Sequence, residues 1–152
     1  MQLFIVAVGK ARGSAEHRLA KDWLGRLPEG GGIHEIESKL PAGAKRTDDE
    51  GKRLLRAVPS GAALAILDQY GKDHSSEDLA ALIGAWRDSG YGSAAFAIGG
   101  ADGHAAHIRQ KALRTISFGS ATWPHMLCRA MLAEQLYRAS MILAGHPYHR
   151  GN

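Results

Sequence analysis

The chain has 152 residues, enough for one domain with its own hydrophobic core. With 45% hydrophobic and 22% charged residues, it has the make-up of an ordinary globular protein and not of a fibrous or disordered one. A single cysteine excludes a disulfide framework and fits a reducing cytoplasm, and a net charge of +4 favours an anionic partner such as RNA without requiring one.

The N-terminal "MQLFIVAVGK" has no basic leader and no small-residue cleavage site. Its apolar run, residues 3–8, reads as a strand buried on both faces. Ser14 is placed to cap a helix carrying Leu19, Trp23, Leu24 and Leu27, which ends near Pro28. "GIHEIE" alternates and suits a strand toward one edge, and "KLPAGAKR" (residues 39–46) reads as a basic loop. Thr47 and Glu50 have the spacing of a capping box opening a short helix with Leu54 and Leu55. A second buried strand follows at residues 62–68. Ser75 and Asp78 form another capping-box pattern before Leu79, Leu82, Ile83 and Trp86 at helical spacing. "SAAFAIGG" is a strand ending in a glycine pair, a helix runs from about His104 to Leu113, and "TISFGS" is a short strand. The last helix starts at Pro124 and stops at Gly145.

Strands alternating with helices predict a single α/β domain over residues 1–152, with a mainly parallel sheet of five or six strands flanked by helices. Within residues 126–144, Arg129, Glu134 and Arg138 make a membrane span too costly. That helix is apolar almost all round, with Leu132 and Leu136 at its centre. We expect a second subunit to cover what one sheet cannot, hence a homodimer.

Ligands of open α/β sheets bind at the carboxyl ends of the strands. "LDQYGK", "IGGADG" and "SFGSATWPH" stand at three such ends. Gly99, Gly100, Gly103 and Gly119 suit a pocket that recognises its ligand through the main chain. No dinucleotide fingerprint or Walker A sequence occurs, and "FGSAT" is not a nucleophile elbow. His104 with His107, and His146 with His149, are i, i+3 pairs without an H-E-x-x-H pattern, so no metal is expected. Cys128, on an apolar helix, reads as packing. The C-terminal "AGHPYHRGN" concentrates chemically capable residues where chains are usually bland.

"LDQYGKDHSSEDLA", "AFAIGGADG", "ISFGSATWPHMLCRAMLAEQLYRA" and the terminal "GHPYHR", in this order, resemble the small SPOUT-class methyltransferases that methylate N3 of a pseudouridine in 23S ribosomal RNA. The resemblance spans the whole chain. It implies a deep trefoil knot in the C-terminal part of the α/β domain, a homodimer, S-adenosylmethionine as methyl donor, and a substrate presented by the large subunit or the assembled ribosome. It also implies cofactor contacts at Leu67, Gly99 and Gly100 and along the loop of Phe118, Gly119, Ser120, Ala121, Thr122, Trp123 and Pro124. Phe118, Gly119, Trp123 and Met126 depart from the commoner family residues. The tail becomes the substrate side of the site: His149 the base that removes the N3 proton, Arg150 the contact to an anion or phosphate, and Tyr148 a stacking platform. Two other readings are a non-catalytic RNA- or ribosome-binding factor and a metal-dependent hydrolase using the terminal histidines.

Overall fold

The computed structural model describes residues 1–150, with side chains as far as Tyr148. Five strands, β1 (Gln2–Val8), β2 (Gly31–Ile36), β3 (Ala63–Asp73), β4 (Ser93–Ile98) and β5 (Arg114–Ser117), alternate with five helices, α1 (Ala15–Gly25), α2 (Ala44–Ala57), α3 (Ser76–Asp88), α4 (Ala106–Lys111) and α5 (His125–Leu143). A 3-10 turn, Pro147–Arg150, follows. The sheet order is β2-β1-β4-β3-β5 and every pair is parallel, so all five carboxyl ends emerge along one edge.

Alternation along each strand builds two cores. Leu3, Ile5 and Ala7 of β1 and Phe96 and Ile98 of β4 face a layer of α1, α3 and α5. Val6, Val8, Ala95 and Ala97 point the other way, onto Leu54 of α2 and Ile108 of α4. The continuous apolar runs of β1 and β4 reflect burial on both sides. β2, at the edge, is only half-buried, as its alternating sequence predicts.

The expected caps at Ser14 and Ser75 are present. Ser14 accepts from the His17 amide (3.2 Å), and Ser75 and Asp78 exchange the two hydrogen bonds of a capping box. The expected box at Thr47 is not. α2 begins at Ala44 after an N-cap Gly43, absorbing the end of the basic loop, and Glu50 is buried one turn further in. β3 also outruns its expected end: it continues to Asp73 past a bulge after Leu67 and pairs there with β5. Only glycine permits this approach, because a Cβ on Gly71 would lie 2.6 Å from the Ile116 carbonyl carbon.

α5 overturns one premise. Leu132 and Leu136 are fully buried within the single chain, packed with Ala20 and Leu24 of α1, Leu79 and Ile83 of α3, and the sheet. The apolar girth of α5 therefore needs no second subunit at its centre, since two neighbouring helices flank it. The outward apolar residues of α5 are Leu127 and Leu143 near its ends. Among the described residues, no helix is long and apolar enough to cross a membrane.

Candidate active site

A cavity of about 430 Å³ opens at the carboxyl ends of β3, β4 and β5, inside the range of small-molecule sites. Of the cofactor candidates read from the sequence, Leu67, Gly99, Gly100, Phe118, Gly119, Ala121, Thr122 and Trp123 line it, and Ser120 and Pro124 do not. Residues outside that candidate set also line it, among them Asp68, Ile98 and Ile116 from β3, β4 and β5, Arg109 from α4 and His125 from α5.

The walls are braced by side chains that hold backbone. The Asp68 carboxylate meets Arg109 at 2.6 Å, and Arg109 Nε donates to the His104 carbonyl at 3.1 Å. His104 Nε2 lies 2.9 Å from the Leu67 carbonyl, which can only accept, so that nitrogen carries the proton. Burial pushes the His104 ring below the ordinary histidine range, keeping it neutral, and its Nδ1 is buried without a partner among the described residues. On the opposite wall the Gly119 amide donates to Asp73 (3.0 Å), Ser117 Oγ to the Gly119 carbonyl (3.0 Å), and Trp123 Nε1 to the Phe118 carbonyl (3.0 Å). Side chains thus hold backbone groups of both walls in place.

A Cβ on Gly100 would lie 2.6 Å from a carboxylate oxygen of Glu50, buried on α2. Desolvation raises the Glu50 pKa, and Arg46, 3.5 Å away, opposes the rise. Gly99 lacks a Cβ for a second reason: its own loop doubles back, with the Gly103 carbonyl oxygen 2.8 Å from where that atom would be.

α5 enters the cavity with His125 and Cys128. Burial lowers the His125 pKa, assisted by the nearby Arg129 charge, so the ring is neutral at physiological pH. The same burial pushes the Cys128 thiol up to about 11. Native protein at pH 8 should therefore react with Ellman's reagent about a hundredfold more slowly than urea-unfolded protein. Comparable rates would mean that Cys128 is an accessible thiolate and not packing.

The tail folds back on its own helix. Tyr148 Oη donates to Glu134 (3.0 Å), and its ring stands edge-on to Tyr137 at 5.0 Å and 6.0 Å from Trp23, under the Arg138 guanidinium. Tyr148 is not among the residues lining the cavity of its own chain. The side chains of His149 and Arg150 lie outside the described residues. The other histidines do not assemble. His104 serves Leu67 while His107 faces Asp48 at 3.5 Å, and the described residues contain no cluster of three or more metal-ligating groups.

The family model described as a predicted SPOUT methyltransferase matches residues 1–149. The chain belongs to the SPOUT methyltransferase family. A protein of Paramagnetospirillum magneticum named ribosomal RNA large subunit methyltransferase H is 48% identical over 99% of both chains. Its namesake in Nitrobacter hamburgensis is 42% identical over 99% of this chain and 100% of its own. Among solved structures, the SpoU methyltransferase AviRb from Streptomyces viridochromogenes matches 95% of this chain and 60% of its own, at 13% identity and a TM-score of 0.43. As a SPOUT methyltransferase the chain carries its cavity at the carboxyl edge of the sheet, on three loops that alternate with helices.

Proposed function

We propose that this chain is an S-adenosylmethionine-dependent methyltransferase that methylates N3 of a pseudouridine in 23S ribosomal RNA, on the large subunit or the assembled ribosome in the cytoplasm. One observation carries the reading: a cavity lined by three glycine-bearing loops at the carboxyl edge of the sheet, in a family member that shares nearly half its residues, end to end, with large-subunit rRNA methyltransferases.

The cavity fits the donor. Leu67, Ile98, Ile116 and Phe118 offer apolar walls to an adenine ring, and the loops of residues 99–103 and 118–123 offer backbone donors and acceptors to its polar edges. When bound, this group supplies a methyl carbon made electrophilic by a sulfonium. The chain's own residues then align the attacking nitrogen with that carbon, and alignment supplies much of the acceleration. N3 of pseudouridine must lose its proton. His149 takes it, Arg150 steadies the developing anion, and Tyr148 stacks on the base.

Because Tyr148 does not line the cavity of its own chain, the proposal includes a homodimer in which one tail serves the other chain's cavity. It also includes the knotted C-terminal segment characteristic of the family. Calorimetry should give one S-adenosylhomocysteine per chain. Purified protein should restore the N3 methyl mark, read by mass spectrometry, to ribosomes from a strain lacking it. Absence of S-adenosylhomocysteine binding would favour the RNA-binding factor instead.

A further inference from the structure

β1 leaves the sheet into a loop, residues 9–14, whose shape is strongly constrained. Gly9, Arg12 and Gly13 all have positive φ, at 92°, 46° and 77°. Glycine takes such angles freely, whereas arginine does so at a cost that the surroundings must cover. They do so through Arg129 of α5, which is fully buried. Its guanidinium donates to the carbonyls of Val8 (2.6 Å) and Gly9 (2.7 Å) and to the Glu35 carboxylate (2.6 Å). The same Glu35 oxygen accepts the Ala11 amide at 2.9 Å, and Arg18 donates to the Gly13 carbonyl at 2.7 Å. A buried ion pair is an expensive way to shape a turn that short glycine-rich sequences make unaided.

The loop so held presents charge. Lys10 and Arg12 are exposed, and neither forms an ion pair with a described residue. Glu16 is the one carboxylate between Gly9 and Arg18. The position matters as well. Ala7 pairs with Ile98, so the loop leaves the sheet beside the Gly99–Gly100 rim of the cavity, one strand spacing away. Arg129 follows directly on Cys128, which lines that cavity, so the same helix that walls the site fixes the loop.

We propose that residues 9–14 are a contact for the phosphate backbone of structured RNA, with Lys10 and Arg12 the contacting side chains. This rests on the methyltransferase reading for what the contact serves. Two unpaired cations on a rigid loop beside the cavity meet phosphates without losing loop entropy. They position the target strand and read no sequence.

The test uses the full-length protein with Lys10→Gln and Arg12→Gln combined, both on exposed positions, and large ribosomal subunits lacking the mark as probe. Subunit binding by sedimentation and the KM for subunits should each weaken about tenfold, while kcat and S-adenosylhomocysteine affinity stay within twofold. The slope of log(kcat/KM) against log salt should fall by about 1.5, the value for two lost phosphate contacts. The control, Arg56→Gln with Arg87→Gln, removes equal charge in the last turns of α2 and α3, at the opposite edge of the sheet. An unchanged KM and salt slope in the loop variant would overturn the proposal, as would an equal loss in the control. Wild-type protein that binds subunits through this loop yet transfers no methyl group would uphold it and overturn the methyltransferase reading.

Discussion

Deletion of residues 146–152 will leave a protein that binds S-adenosylhomocysteine with little loss and transfers methyl groups about a thousandfold more slowly. Every described residue lining the cavity precedes the deletion, so the donor side stays intact. The groups proposed to orient and deprotonate the target base are lost, and proton transfer with positioning accounts for an effect of that size. Among the contacts the deletion removes are those of Tyr148 with Glu134, Tyr137 and Trp23, at the surface of a helix that α1 and α3 already hold. His149→Ala separates the roles. If His149 is the base, single-turnover rates fall and the residual activity climbs with pH as hydroxide replaces it. If Arg150 bears most of the effect, His149→Ala is mild and Arg150→Ala severe. Mixing truncated chains with chains whose cavity is blocked should recover activity, because one tail serves the other chain's cavity. Full activity in the truncated protein would remove the tail from the mechanism.

Arg129→Met should be the most damaging single substitution for stability, at about 3–5 kcal/mol, because it breaks a buried ion pair from one side only. Methionine fills much of the volume, but the Val8 and Gly9 carbonyls lose their donor and Glu35 keeps a charge with the Ala11 amide as its remaining close hydrogen bond. For a domain of this size the melting temperature should fall by about 10 °C. Pairing the change with Glu35→Leu should return part of the loss, since removing both charges leaves no uncompensated carboxylate. Arg129→Lys should not rescue, because one ammonium cannot match a planar fork spread over three acceptors. A loss under 1 kcal/mol in urea unfolding would show that the pair contributes little to the fold.

What was legible in the sequence acts over short range. The apolar runs of β1 and β4 and the caps at Ser14 and Ser75 each leave a signal within a few consecutive residues. The reading that ligands gather at the strand ends holds too, because a parallel sheet puts all carboxyl ends on one edge whatever the strand order. The errors arose where a distant element intervened. Thr47 and Glu50 have capping-box spacing, but Glu50 is drawn under Gly100, fifty residues on, and the helix starts earlier. The apolar girth of α5 is no argument for a partner subunit, because α1 and α3 cover its centre, and the proposed dimer rests on the tail instead.

The sequence alone therefore determined the class of fold, the place of the cavity and most of the loops around it. The tertiary structure decided which strand lies beside which, that Arg129 meets Glu35 across 94 positions, and that His104 holds Leu67 in place. Periodicity and capping are interactions over three or four residues and leave their mark in composition. A buried arginine's partner is set by where two separate elements come to lie, and nothing in the spacing along the chain records it.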